Sequence, residues 1–481
     1  MKFIVKFYPE ITIKSRPVRQ QLVKLLRDNL RHLIKALDPA VFIQRDWDKL
    51  VVETQLADAT PVIDILARTP GIAYFLEVLE YPFIDLADAY QKTQALWGER
   101  LRDKTFAVRC KRAGTHTFTS TVAEQFIGGE LHEHNPSRGV DLRNPDITVR
   151  LEIREDRLFV VNAKHAGIGG FPLGSQDSVM ALMSGGFDST VASYFTMRRG
   201  MRTHFCFFNL GGREHELGVK EVSHFLWSRY GASSRVKFIA VPFEHVVAEI
   251  LKKVENSQMG VILKRMMLRA ATHIAEQYEA KALVTGESIA QVSSQTLTNL
   301  SVIDRATEML VLRPLITMGK GEIIQVAAQI GTEPFAAHIP EYCGVISVKP
   351  TTRAKLPRIE HEESKFDMAV LEQAIADARA LNIDEVANDD LEKVAVDILV
   401  APVTGSIIID VRHPNECERS PLRAGNITIE KIPFYELQTR IPELDRSKTY
   451  LLYCDKGVMS KLHAAHLVEQ GYSNIKVYRP N

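Results

Sequence analysis

Between residues 176 and 350, uninterrupted apolar runs ("SVMALMS", "HFCFFNL", "RVKFIAVPF", "ALVTGES") alternate with helical stretches such as "KEVSHFLWSRYG" and "KRMMLRAATHIAEQY". A strand that is apolar all along must be covered on both faces. Helical crossovers provide that cover and set the strands parallel. The stretch therefore predicts a doubly wound α/β domain, whose ligands belong at the carboxyl ends of its strands. With 481 residues the chain is too long for one core. Length alone suggests roughly three or four domains.

The residues ahead of that domain read differently. "KFIVKFY" alternates with period two, and "SRPVRQQLVKLLRDNLRHLIKAL" sets its leucines near helical spacing, with Ser15 as cap and Pro17 in the first turn. With "KLVVET" and "TPVIDILARTPGI" they make a small α+β unit over 1–60. A second unit, 61–165, holds the helices "DLADAYQKTQALWGERL" and "STVAEQFIGGELHEH". It also holds a strand "TFAVRCKRAG" and a hairpin from "DITVRLEIRED" and "RLFVVNAKHAG". After the doubly wound domain, 176–350, residues 351–401 are charged and helical and read as a linker. A last small α/β domain over 402–481 runs through "IIIDVRHPNE", "YLLYC", "SKLHAAHLVEQG" and "NIKVYR".

"LMSGGFDST", Leu182–Thr190, joins the first apolar strand of the doubly wound domain to a helix. A strand, a Gly-rich turn and a helix N-terminus form an anion site, because free N–H groups and the helix dipole point at the ligand. The loop lacks the lysine that the commoner phosphate loop uses for the β- and γ-phosphates. It suits a diphosphate that leaves as one piece, through Ser184, Gly185, Gly186 and Ser189, with Asp188 placed to hold Mg²⁺. The implied chemistry is attack on an α-phosphate that leaves an adenylated substrate. Leu182 and Met183 end the strand. "MGVILKRMMLRAA" offers Lys264 and Arg265 at the head of a helix, and "LVTGESIAQVSSQTLTNL" offers Gly286 and Glu287 at a strand end, then Gln291 and Gln295. Lys320 opens a further helix and, like Lys264, could neutralise triphosphate charge.

Five cysteines are few and form no CxxC pair, so zinc is not expected. "YLLYCDKGVMSKLHAAHL" ends an apolar strand at Cys454, and a helix follows from about Ser460. Backbone N–H groups, a helix N-terminus and Lys456 favour the thiolate, the nucleophilic form. Cys343, in "IPEYCGVIS", gains weight only as a partner for Cys454. Their meeting needs Cα atoms within about 7 Å, which sequence does not show. Cys110, Cys206 and Cys417 read as bystanders.

A net charge of +1 decides nothing about nucleic acid, since it averages over local patches. Lys14, Arg16, Arg19, Lys24, Arg27 and Arg31 cluster on and before the first helix. Arg109, Lys111, Arg112 and His116 cluster at a strand end. Such patches can follow a phosphate backbone, and a solvated charged face is the plainer alternative. No apolar stretch is long enough to span a bilayer, and the charged, alternating start does not read as a signal peptide. A cytoplasmic protein with no membrane contact is expected.

The "SGGFDS" string resembles the PP-loop ATP pyrophosphatases. The C-x-x-G-x-x-S pattern at Cys454, with "DVR" at Asp410–Arg412, resembles a rhodanese-like domain, although its loop is poor in arginine. Residues 61–165 resemble a THUMP domain, preceded by a ferredoxin-like one. Together with "MGVILKRMM", "SSQTLTNL" and "PEYCGVIS", the order resembles the 4-thiouridine synthetases of tRNA in their long form, over essentially the whole chain. The resemblance implies ATP contacts at Leu182, Met183, Lys264, Gly286 and Gln295, and thiolation of uridine 8 in tRNA. It implies persulfide sulfur supplied to Cys454 by a cysteine desulfurase, and a Cys343–Cys454 disulfide on turnover that a reductant reopens. It also implies sulfur transfer to a carrier protein for the thiamine thiazole; a homodimer is expected. Two other readings of the residues stay open. One is a PP-loop enzyme of amidation or small-molecule chemistry, against which stands the lack of a glutaminase-like unit. The other is an RNA-binding protein with a dormant nucleotide fold.

Overall fold

The structure is a computed structural model describing residues 1–210, 212–337, 349–387, 396–403, 405–412, 414–425, 427–455 and 457–480. The chain divides into two compact units. The first comprises 1–175 with 198–200, and the second comprises the remainder.

The first unit is built on one eight-stranded sheet. Its strands are β1 (Lys2–Phe7), β2 (Phe42–Arg45), β3 (Lys49–Glu53), β4 (Ile72–Pro82), β5 (Thr105–Ala113), β6 (Gly139–Val140), β7 (Ile147–Arg154) and β8 (Arg157–Gly169), in the order β2-β3-β1-β4-β8-β7-β5-β6. The period-two pattern of "KFIVKF" explains β1. Phe3, Val5 and Phe7 are buried with Leu22, Leu26, Leu30 and Ile34 of helix α1 (Arg16–Lys35), while Ile4 points to the other face and meets Val78 and Val161. The long strand β4 pairs with β1 on one side and β8 on the other, so the two sequence units share one sheet. On β5, Phe106, Val108 and Cys110 pack against Ala123, Ile127 and Leu131 of α2 (Ser120–His134). Arg109 and Lys111 therefore alternate to the opposite face.

The second unit holds two sheets. The larger comprises β9 (Gln176–Met183), β10 (Met201–Asn209), β11 (Lys237–Pro242), β12 (Ala282–Val284), β13 (Leu310–Leu312) and β14 (Arg379–Asn382), in the order β13-β12-β9-β10-β11-β14. Its first five strands are mutually parallel, as their apolar runs require. The chain steps from β9 to β10 and β11 on one side, then returns to place β12 and β13 on the other. The direction of winding thus reverses between β9 and β12, and a crevice opens beyond their carboxyl ends.

One expectation fails here. Residues 351–401 are not simply a helical linker. Ile359, Phe366, Leu371 and Ala374, from helices Leu356–Glu363 and Met368–Ala376 and the turn between them, are buried in the same core as Met266 and Ile274. β14 then adds an antiparallel edge to β11. Most of this charged stretch finishes the doubly wound domain instead of leaving it.

The smaller sheet is all parallel, with β15 (Ile398–Leu399), β16 (Ile407–Asp410), β17 (Ile429–Lys431), β18 (Tyr450–Tyr453) and β19 (Ile475–Tyr478) in the order β15-β19-β18-β16-β17. Its first strand begins ahead of the expected boundary at 402. Among the described residues, no helix is long and apolar enough to cross a membrane.

Candidate active site

The crevice between β9 and β12 is where most residues expected at the phosphate loop and its nucleotide gather. After Met183 the turn Ser184-Gly185-Gly186 leads into α3 (Phe187–Arg198), and Gly185 takes φ +85°, a left-handed geometry that glycine adopts without strain. Ser189 Oγ closes the turn, accepting the Ser184 N–H at 3.2 Å and donating to the Gly186 carbonyl at 3.3 Å. Gly286, just past β12, lies against the start of α3. A Cβ there would stand 2.5 Å from the Asp188 carbonyl carbon and 2.6 Å from the Ser189 nitrogen, so only glycine fits. Its small size thus seats the phosphate-loop helix.

Asp188 is not an open carboxylate. Lys320, the first residue of α6 (Lys320–Ile330), approaches both its oxygens at 3.0 Å, and Gln291 Nε2 donates to Oδ2 at 2.7 Å. Asp188, expected to hold Mg²⁺, is here a carboxylate paired with a lysine. Groups of three or more His, Cys, Asp or Glu that could hold a metal are absent among the described residues.

Lys264 lies in the second turn of α5 (Met259–Gln277) and not at its head. Its Nζ is 3.9 Å from Glu287 Oε1. Glu287 is buried and also accepts from Thr285 Oγ1 at 2.9 Å and Arg313 Nε at 2.8 Å. Arg265, its neighbour, is a core residue that donates to the Val302 carbonyl at 2.6 Å and pairs with Glu363. Gln295 is buried, and its Oε1 accepts from the Ser288 N–H at 3.4 Å.

These groups border a cavity of about 240 Å³ lined by Leu182, Met183, Ser184, Asp188, Ser189, Lys264, Gly286 and Gln295. Lys320 joins them by way of Asp188. Sequence reasoning missed His215, on α4 (Gly212–Leu226), whose Nε2–H donates to the Ser184 carbonyl at 3.0 Å. Burial lowers its pKa, which suits a neutral ring acting as a fixed donor. The available signal was its place, a few residues past the carboxyl end of β10.

Cys454 lies in the smaller parallel-sheet domain, between β18 and α7 (Val458–Glu469). Its Sγ accepts the Ser460 N–H at 3.3 Å and lies 3.4 Å from Ser460 Oγ. The expected depressed thiol does not result. Burial pushes the Cys454 thiol up, against the lowering pull of Ser460 and of the Gly457 and Met459 N–H groups. Arg412 is buried against Asp410, at 2.8 and 2.6 Å, and reaches Asp455 at 2.7 Å, which fixes the loop next to the thiol. Cys343 and Lys456 lie outside the described residues. Cys110, Cys206 and Cys417 are buried, with thiols pushed up by burial to about 11, 12 and 11.

In the first unit Lys111 is exposed on β5, and Arg109 pairs in register with Arg150 of β7. Arg109 donates to the Leu142 carbonyl at 2.7 Å, and Arg112 to the Gly114 carbonyl at 2.9 Å. Arg109 and Arg150 thus set like charges side by side on neighbouring strands, which repel, whereas Lys111 lies in register with Glu152.

Known families match four successive stretches of the chain. Residues 2–75 match the ThiI ferredoxin-like domain, 84–161 the THUMP domain, 174–368 the thiamine biosynthesis protein (ThiI) family and 394–479 the rhodanese-like domain. Proteins named tRNA sulfurtransferase from Azotobacter vinelandii and Pseudomonas aeruginosa are each 56% identical to it over 483 residues, covering 100% of both chains. The one from Saccharophagus degradans is 52% identical over the same length and coverage. Among solved structures, a 4-thiouridine synthetase–RNA complex with bound ATP superposes with a TM-score of 0.70 at 26% identity, over 79% of this chain and 99% of that one. PH1313 from Pyrococcus horikoshii shares the fold, with a TM-score of 0.54 at 18% identity over 69% of this chain and 100% of that one. The chain belongs to the tRNA sulfurtransferase family.

Proposed function

We propose that the chain thiolates uridine 8 of tRNA to 4-thiouridine in two stages. In the first, O4 of the uracil attacks the α-phosphorus of ATP, pyrophosphate leaves, and an adenylated uridine remains. A carbonyl oxygen leaves poorly, and linkage to AMP converts it into a good leaving group. The N–H groups of the Ser184–Ser189 turn and the dipole of α3 receive the departing diphosphate. Lys264 and Lys320, held at rest by Glu287 and Asp188, bring positive charge to the phosphates. Leu182, Met183, Gly286 and Gln295 border the nucleotide.

Mg²⁺ fits this donor set, because one carboxylate suffices where substrate phosphates supply further oxygens. Asp188 would hold it, with Lys320 turned to the phosphates, and the metal would neutralise charge on the leaving group.

In the second stage a cysteine desulfurase has loaded Cys454 with a persulfide. Its terminal sulfur attacks C4, AMP leaves, and Cys454 is joined to the base through a disulfide. The Cys343 thiolate then attacks Cys454 Sγ. This frees 4-thiouridine and leaves a Cys343–Cys454 disulfide, the two thiols having supplied the two electrons. A reductant restores them. Arg109, Lys111 and Arg112 hold the RNA backbone, and the enzyme works as a cytoplasmic homodimer. The description of the matched family as thiamine biosynthesis protein favours a second acceptor for the same sulfur, a carrier protein feeding the thiamine thiazole.

The observation that carries the reading is one chain holding an anion cradle at the switch point of its sheet and, in a separate domain, a thiol capped by a helix N-terminus. Incubation with ATP, Mg²⁺, cysteine, a desulfurase and unmodified tRNA is expected to yield AMP and the 4-thiouridine absorbance. Absence of AMP in the presence of tRNA would overturn it.

A further inference from the structure

The second unit brings the thiol domain onto the nucleotide domain through one helix. Along α4, Arg213 Nε meets Glu469 Oε2 at 2.5 Å, Glu214 lies 3.9 Å from His466 Nε2, and Leu217 shares a buried cluster with Leu462. Further along, Glu221 Oε1 stands 2.6 Å from His463 Nε2, both side chains buried, at ion-pair distance though off the line of a good hydrogen bond. Beside this row Phe335 stacks on Phe434 with ring centroids 4.2 Å apart, and Phe225 of α4 packs on Phe335 at 4.9 Å. Arg229 faces Glu416 at 3.8 Å. A buried Glu221–His463 contact flanked by stacked rings and rimmed by the Arg213–Glu469 and Arg229–Glu416 pairs is a built contact between two domains.

The sense of the row matters. As the numbers rise along α4 from 213 to 221, their partners on α7 fall from 469 to 463, so the helices run in opposite senses. The end of α4 that carries His215 borders the cleft. Cys454 precedes α7 and so lies toward the other end of α4. At 1.5 Å per helical residue, the six residues from His215 to Glu221 and the five from His463 back to Val458, where α7 begins, set the thiol loop on the order of 15 Å from the cleft. Consistently, no described residue of the C-terminal domain lines the cavity.

We infer that the face of α4 formed by Arg213, Glu214, Leu217 and Glu221, with Phe335, is a parking surface for the C-terminal domain. It holds Cys454 away from the adenylated base, and sulfur delivery requires the domain to leave it. The inference rests on the reading of Cys454 as the sulfur carrier. It adds that the observed contact and the delivery contact exclude each other.

The rim pair supplies the test, since both side chains are partly exposed and neither belongs to the cleft or the thiol loop. In the full chain, Arg213→Cys with Glu469→Cys is joined by a short bismaleimide. The reagent is applied briefly at mildly acid pH, where the raised Cys454 thiol is slow to react, and each single variant, treated alike, serves as control and must keep full thiolation, which shows that Cys343 and Cys454 are unmodified. The joined protein is expected to keep tRNA-dependent pyrophosphate release and to lose 4-thiouridine formation by more than about tenfold, the effect of removing the competent state from most of the population. A long, flexible bismaleimide on the same pair should restore thiolation, which separates blocked motion from damage. Thiolation at the unjoined rate under the short tether, or loss that the long tether fails to relieve, would overturn the parking role. Thiolation that survives Cys454→Ser would instead fault the carrier reading beneath it.

Discussion

Gly286→Ala tests whether the strand end after β12 seats the phosphate-loop helix. The added Cβ would stand 2.5 Å from the Asp188 carbonyl carbon, 2.6 Å from the Ser189 nitrogen and 2.7 Å from the Asp188 oxygen, where ordinary contact begins at 3.4 Å. All three are backbone atoms, so no side chain can swing aside. Either α3 or the segment after β12 must retreat by roughly 1 Å, an overpacking cost of about 1–3 kcal/mol. That retreat carries Asp188 off Lys320 and Gln291. Misplacement of about 1 Å can cost on the order of 100-fold in rate. The variant is expected to fold, to melt several degrees lower, to bind tRNA normally, and to release pyrophosphate about 100-fold more slowly. Gly129→Ala is the control. It lies in α2 with nothing within 4 Å of the new Cβ, and should stabilise by up to about 1 kcal/mol through helix propensity. Pyrophosphate release by Gly286→Ala within about twofold of the unsubstituted rate would refute the reasoning, since it lies far below the expected ~100-fold loss.

Asp188→Asn removes the anion that holds Lys320 and is expected to cut pyrophosphate release at least ~100-fold while filter-binding of tRNA is unchanged. Cys454→Ser should leave pyrophosphate release intact and abolish 4-thiouridine, read by absorbance. Lys111→Ala should weaken tRNA binding at every sequence and reduce the slope of log affinity against log salt by about one; an unchanged slope would remove Lys111 from the RNA contact. Burial and the charges of Arg202 and Lys237 lower the His204 pKa from 6.5 to about 4. The unfolded chain therefore binds the proton first. The stability that the neutral ring contributes is complete above pH 6.5 and is lost as the pH falls toward 4, by up to a few kcal/mol. His204→Gln should flatten the acid limb of a melting-temperature profile over that window.

How far the chain could be read in advance follows from which forces are local. The strands of the doubly wound domain declare themselves because burial on both faces demands apolar residues throughout, and the position of the cleft then follows from topology. The Ser184–Ser189 turn was legible for the same reason, as its glycines and serines act within one turn. The pairing of Asp188 with Lys320 was not, because 132 residues separate them and either could have been solvated. The stretch after 351 misled because its charges are many and its buried residues few. Ile359, Phe366, Leu371 and Ala374 look incidental until α5 offers them a surface.

Cys454 shows the limit most plainly, because two effects of opposite sign meet on one atom. Gly457, at φ +72°, and Ser460 announce capping amides, and those amides do reach the sulfur. A helix N-terminus contributes at most about 2 kcal/mol in buried settings, roughly one and a half pKa units. Taking a thiolate wholly out of water costs more, so the balance falls to the neutral thiol. Motif reading captures the first effect, which follows from chain geometry within six residues. It misses the second, which depends on how tightly the rest of the domain closes over Sγ. An alkylation profile of Cys454 against pH should therefore rise at a higher pH than that of an ordinary exposed cysteine. A profile displaced to lower pH would mean that the amides, and not desolvation, govern this sulfur.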